Sequence, residues 1–269
     1  MLCSAPDAPP RRRAETDPIQ YNAGSLPCLE FAHTVPISLR LNAIPLCLAL
    51  ASAAPGAFAA RPFVTDDARI VDPGGCQIET FIKRQRNFGE REEWFLPGCN
   101  PGGNLELTFG GLNVSNDAAG RSSALIAQGK TLLKPLKTNG YGVALTLGAL
   151  RQSQFAAGAP MPWSPFLNLV SSASLRDDAL VIHANAGALD DRAGGVTRPT
   201  WGLGAELLIA PRLYAIAESY GQKGDKASRQ VGLRFWLVPE RVQVDGTLGA
   251  QRSGPPGRNW TSLGLRLLF

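Results

Sequence analysis

The last ten residues of the chain alternate between apolar and polar positions. In Trp260-Thr261-Ser262-Leu263-Gly264-Leu265-Arg266-Leu267-Leu268-Phe269, the side chains of Leu263, Leu265, Leu267 and Phe269 fall on one side. Ser262, Gly264 and Arg266 fall on the other. A period of two belongs to a β-strand with one apolar and one polar face. The pattern recurs upstream in short runs separated by turn residues. The runs are Cys76 to Gln85, Glu93 to Leu96, Leu105 to Phe109, a stretch carrying Gln128, Lys130 and Lys134, then Tyr141 to Gly148 and Leu167 to Ser174. They continue with Leu180 to Gly187, Gly202 to Ile209, Leu213 to Glu218, Val231 to Leu237 and Val242 to Leu248, and Trp260 to Phe269 is the twelfth. No segment holds a helical period through its glycines.

The connections add a second signal. Short ones, such as Pro211-Arg212 and Pro239-Glu240, alternate with longer ones around Ala156 to Pro162, Asp190 to Arg198, Gly221 to Ala227 and Ser253 to Arg258. Short turns at one end and long loops at the other, with Trp163, Trp201 and Trp260 at one rim and Tyr141 and Phe269 at the other, are features of membrane barrels. The expected fold is all-β: a transmembrane antiparallel up-and-down β-barrel of about 12 strands, roughly 10–14 given the uncertainty of strand ends. A soluble barrel with its apolar face inward shares the period. The glycine-dense polar face, the loop alternation and the terminal Phe269 favour the membrane version.

Composition agrees. The chain has 269 residues, 29 of them Gly, with 18% charged residues and a net charge of +5. Its mean hydropathy is too low for a helical membrane protein. The only basic cluster is Arg11-Arg12-Arg13, so no nucleic-acid partner is expected.

Residues 1–38 are Pro-rich and unpatterned, and read as a non-native or disordered extension. From Leu39 a charge, an apolar core and the small-residue ending Ala57-Phe58-Ala59 make a signal peptide over 39–59,. Its apolar core is shorter than the roughly 20 residues a spanning helix needs. Cleavage near Ala59 leaves a barrel of residues 60–269 and directs it to the outer membrane of a Gram-negative bacterium. The exported part keeps Cys76 and Cys99, at one end of adjacent strands. They read as a disulfide, with two free thiols as the alternative.

A charge on the lipid face costs about 2–4 kcal/mol at mid-membrane, so the polar strand positions belong inside. The expected lumen residues are Glu79, Lys83, Glu106, Gln128, Lys130, Lys134, Asn168, His183, Asn185, Glu206, Glu218, Arg234, Asp245 and Arg266. They have two compatible roles: ion pairs that hold the barrel's shape, and the lining of a solute path. A third reading, an outer-membrane lipid hydrolase, would use His183. It lacks a placed nucleophile, a G-x-S-x-G turn and zinc-ligand spacing. No catalytic residue, metal or cofactor is expected. The expected partners are outer-membrane lipid, the barrel-assembly machinery through the strand ending in Phe269, and a small-molecule solute.

Four stretches carry a family likeness: Gly103-Asn104-Leu105-Glu106-Leu107-Thr108-Phe109-Gly110-Gly111, Thr200-Trp201-Gly202-Leu203-Gly204-Ala205-Glu206, Gln230-Val231-Gly232-Leu233-Arg234-Phe235-Trp236 and Ser262-Leu263-Gly264-Leu265-Arg266. They resemble the putative MetA-pathway of phenol degradation family of proteobacterial outer-membrane proteins. The resemblance implies a barrel and uptake of small aromatic or hydrophobic solutes, and assigns no catalytic residues.

Overall fold

In the computed structural model, the described residues are 63–87, 89–153, 161–251 and 258–269. The expected extension, 1–38, and signal peptide, 39–59, lie outside them. Twelve strands follow in order: β1 (Cys76–Gln85), β2 (Glu90–Cys99), β3 (Glu106–Asn116), β4 (Gly120–Lys134), β5 (Tyr141–Gln152), β6 (Ser164–Leu175), β7 (Leu180–Asp191), β8 (Val196–Ala210), β9 (Leu213–Gln222), β10 (Ser228–Val238), β11 (Val242–Gln251) and β12 (Arg258–Leu268). Each pairs antiparallel with its neighbours in sequence, and β1 pairs with β12, which closes the barrel. The terminal residue takes part: Cys76 N–H donates to the Phe269 carbonyl and Phe269 N–H to that of Cys76.

Two ends can be distinguished. The near end holds Cys76, Cys99 and Phe269; the far end holds the β1–β2, β3–β4 and β7–β8 connections. The wall follows the alternation. Phe109, Leu147, Leu233 and Leu263 are exposed on the outside, whereas His183, Arg234 and Gln243 are buried inside. Water would favour the inverse arrangement; a bilayer favours this one, so the fold is a transmembrane barrel.

Several local expectations change. β2 is ten residues long, not Glu93 to Leu96. Its charged start hid it: Glu90 and Glu92 face the lumen while Arg91 and Glu93 face outward above the apolar band. The β7–β8 connection is only residues 192–195, because both strands continue past the expected loop from Asp190 to Arg198. Near-end turns are tight: Arg212 and Glu240 each follow a proline and take left-handed backbone angles, φ 68° and 59°. Trp260 is not part of an outer aromatic girdle. It faces the lumen and donates Nε1–H to Gln230 Oε1. Trp163 and Trp201 are exposed, as are Tyr141 and Phe269. Cys76 and Cys99 form a disulfide joining the first residue of β1 to the last of β2.

Candidate functional site

The lumen contains more than strand side chains. Residues 63–72, immediately before β1, run inside the barrel and are held there by the wall. At its near-end foot, Val71 N–H donates to Glu106 Oε2 at 2.7 Å, and the Val71 carbonyl accepts from Asn100 Nδ2 at 2.8 Å. Ala68 N–H donates to Ser172 Oγ at 2.9 Å. Higher up, the Asn185 amide pairs with the Asp66 peptide group twice. It accepts from the Asp66 N–H at 2.6 Å and donates to the Asp66 carbonyl at 2.9 Å. The Glu218 carboxylate accepts from the N–H groups of Val64 and Thr65, each at 2.8 Å. Wall carboxylates and amides thus satisfy backbone groups that have no sheet partner.

Charge holds the segment as well. Lys130 Nζ lies 2.7 Å from Asp66 Oδ1 and 3.1 Å from Asp67 Oδ1. Lys130 and Asp67 are both buried, where loss of either partner would leave an uncompensated charge. Phe63 lies edge-on to His183, ring centroids 5.5 Å apart, and the Arg234 guanidinium is 5.7 Å from the Phe63 ring centroid. Two wall positions must be small for this. A Cβ added at Gly202 would lie 2.6 Å from Thr65 Oγ1, and one at Gly204 would lie 3.1 Å from the Phe63 ring.

Around the segment, the near half of the lumen is filled. Arg234 pairs with Glu206, which lies 2.8 Å from His183 Nε2; His183 Nδ1 lies 2.8 Å from Ser172 Oγ. A serine, a histidine and a carboxylate in line suggest hydrolase machinery; alternation puts Ser172 on the inward face but does not pair it with His183. The geometry assigns another role. All three are at most 3% exposed, and Ser172 Oγ already receives the Ala68 N–H. The chain Arg234–Glu206–His183–Ser172 therefore ends on the inner segment and positions it. A second chain runs from Arg266 to Gln77 and on to Glu106, with Arg266 Nε also 3.4 Å from Glu79.

The far half is open. A cavity of about 630 Å³ lies above the segment, with Phe63 to Asp67 contributing to its lining, and reaches down beside it along β1, β3 and β12 to Gln77, Glu106 and Arg266. Its two sides differ. Phe81, Trp94, Leu96, Ile126 and Phe166 make an apolar side; Thr200, Gln222, Ser228, Gln230 and Gln251 make a hydrogen-bonding side. The apolar side is fixed in place. Phe81 and Trp94 stack with centroids 5.1 Å apart and planes 9° apart, and Trp94 Nε1–H donates to Glu92 Oε2 at 2.9 Å. Glu92 Oε1 in turn holds Lys83 at 2.8 Å. Phe166 leans across Gly148, where an added Cβ would lie 2.4 Å from its ring.

The expected lumen residues divide accordingly. Glu106, Lys130, His183, Asn185, Glu206, Glu218, Arg234 and Arg266 surround the inner segment or its supports, and Asp245 is buried beside Gly264. Glu79, Lys83, Gln128 and Asn168 line the cavity, which some of the segment's supports also reach. Lys134 is not in the lumen. A bulge between Leu132 and Lys134 shifts the register so that Lys134 pairs with outward-facing Val143, and its Nζ lies 3.1 Å from the Tyr141 ring centroid at the near rim. Sequence reasoning missed Asp66, Asp67 and the apolar side. Alternation fails where both faces are apolar, as at Ala124-Leu125-Ile126-Ala127, and residues 63–72 have none.

Comparisons with solved structures agree on the fold. The KdgM porin superposes with a TM-score of 0.55 at 11% identity, covering 72% of this chain and 99% of that one. The NanC porin gives 0.52 at 9% identity, covering 71% and 98%. The COG4313 outer membrane channel from Pseudomonas putida F1 gives 0.52 at 11% identity, covering 76% and 98%. At these identities the likeness is one of fold. No curated protein matches the sequence. The family match is to a group of uncharacterised proteins, and membership of the phenol-degradation family suggested by the strand motifs is not confirmed. With residues 46–269 matching its family model, the chain belongs to the family described as uncharacterised conserved protein UCP029691.

Proposed function

We propose that the protein is an outer-membrane channel of a Gram-negative bacterium, porin-like in its wall and closed at its periplasmic end by its own N-terminal segment. Residues 39–59 are the export signal in this reading. Cleavage near Ala59 then makes the segment that enters the lumen the start of the exported chain. The near end, with Phe269, faces the periplasm and the far end faces outward. The strand ending in Phe269 is the one offered to the assembly machinery.

The observation that carries this reading is the far-half cavity, set in a transmembrane barrel and floored by residues 63–67. Its chemistry suits small uncharged solutes with an apolar or aromatic face. Such a solute can lie against Trp94 and Phe166 and hydrogen-bond to the amides opposite. Lys83 and Lys130 are already matched by Glu92, Asp66 and Asp67, which lowers the attraction of these two cations for an anionic solute. The filled near half also favours a second role for the same residues, as the frame that holds the segment in place.

Planar-bilayer recording tests the channel. The mature chain is expected to show small or rare steps. A chain lacking residues 60–72, or carrying Lys130→Met, should show larger and more frequent ones. In liposomes of the opened variant, benzyl alcohol should permeate faster than benzoate. If the deletion leaves the bilayer silent, the channel reading fails and a structural barrel remains.

A further inference from the structure

At the far end, the outer face of the barrel carries charge in an unusual arrangement. The strand register aligns Thr261 with Arg84, Arg84 with Arg91, Arg91 with Ser115 and Ser115 with Arg121, across β12, β1, β2, β3 and β4. All five alternate with lumen-facing neighbours, so all five point away from the lumen. Three guanidinium groups and two hydroxyls thus occupy one row, with no carboxylate in it. Arg84 and Arg91 are direct cross-strand partners, an arrangement of like charges that destabilises a sheet unless an anion lies between them.

Existing acids only partly offset the row. Glu93, one row nearer the membrane, reaches Arg91 at 2.5 Å. Among the described residues, neither Arg84 nor Arg121 has an ion-pair partner. With strands about 4.8 Å apart, the row spans roughly 14 Å from Arg84 to Arg121. Guanidinium forks bind carboxylate and phosphate oxygens bidentately, and the higher charge and three oxygens of a phosphate suit a row of three of them.

Depth identifies the source of the phosphate. The next outward row toward the membrane holds exposed Ile82 and Leu263 on β1 and β12 and polar Glu93, Asn113 and Ser123 on β2 to β4; the row after it contains Phe95 and Leu125, both exposed and apolar. Arg84 lies two residues, about 6.6 Å along the strand, beyond Ile82, and Arg91 and Arg121 lie four residues, about 13 Å, beyond Phe95 and Leu125. That is headgroup depth, and the row faces sideways into the lipid layer, not into the cavity. We infer that Arg84, Arg91 and Arg121 form a docking site for the phosphate groups of a phosphorylated glycolipid in the outer leaflet. The inference rests on the outward orientation of the far end proposed above. It is independent of whether the lumen conducts.

The test uses the full mature chain in detergent micelles. Native mass spectrometry would compare bisphosphorylated lipid A with its dephosphorylated form, and inorganic phosphate would be added as a competitor. The wild type should bind the phosphorylated lipid at least about tenfold more tightly than the dephosphorylated one. The triple variant Arg84→Gln/Arg91→Gln/Arg121→Gln should lose that preference, and the corresponding triple Lys variant should retain part of it. Retained heat-modifiability on gels would show that each variant barrel is folded. Equal lipid preference in wild type and Gln variant overturns the site, as does inorganic phosphate displacing the lipid at stoichiometric concentration. Conductance of the segment-deleted chain should be the same with and without the Gln substitutions. Silence in both would count against the channel while leaving the lipid result intact.

Discussion

The near and far halves of the lumen are built from the same alternating strands and have opposite characters. In the near half, Gln243 and His183 have no exposed surface, and Arg234 has 1%. Polar side chains there meet one another and the inner segment. In the far half, side chains of the same types border an open cavity of about 630 Å³. An inward polar residue therefore has two different uses here, and its position in a strand does not say which. Burial against the segment decides.

The largest effect should come from the near half. Arg234→Met removes the cation beside Glu206 and leaves a carboxylate at 3% exposure, with His183 Nε2 still 2.8 Å away. Breaking a buried pair in this way typically costs about 3–5 kcal/mol. Urea unfolding in micelles should show a loss of that order. At the cavity, Gln128→Ala should cost well under Arg234→Met, about 0.5–1 kcal/mol, because Gln128 is only half-buried and borders open space,. If Arg234→Met costs no more than Gln128→Ala, water reaches the near half and the contrast between the halves is wrong.

A middle-sized effect would show whether the segment can move apart from the wall. Gly202→Ala places a methyl group 2.6 Å from Thr65 Oγ1 and 3.2 Å from Thr65 Cβ, so it presses on the segment and not on a strand. Overpacking of this kind costs about 1–3 kcal/mol. If the segment yields first, bilayer conductance should rise while the unfolding midpoint of the barrel changes little. A lowered midpoint with unchanged conductance would mean that segment and wall unfold as one unit.

The wall was readable in the sequence because a membrane barrel imposes a strict two-residue period wherever one face meets hydrocarbon. That rule places His183, Glu206 and Arg234 on the inside without knowledge of their partners. It gives no information about the inner segment, whose contacts join positions such as Thr65 and Glu218 that lie 153 residues apart. The clue available was indirect: Gly202 and Gly204 alternate on the inward face of β8, leaving space that some other group must occupy. The rule also misplaced Lys134, because a single bulge reverses every side chain beyond it. Trp260 was misplaced by the girdle expectation and not by the period, which puts it on the face of Ser262 and Arg266; an aromatic at a strand end suits either a lipid interface or a hydrogen-bonded place in the lumen.

The smallest effect belongs to neither half. Glu240 turns the chain between β10 and β11 with φ 59°, a left-handed conformation that disfavours a residue with a Cβ by about 1–2 kcal/mol,. Glu240→Gly removes that strain, but glycine loses about 0.5–1 kcal/mol more conformational freedom on folding, which offsets part of the gain. The net stabilisation should be positive and below about 1 kcal/mol, with conductance unchanged. Because Pro239 already restricts the turn, the unfolded chain is also partly ordered there, which limits the benefit further. Unfolding midpoints of Glu240→Gly and wild type measured side by side would check the sign. A clear loss of stability would mean that the exposed Glu240 side chain contributes a contact to the near rim, and that the turn serves the closed end of the lumen as well as the connection between strands.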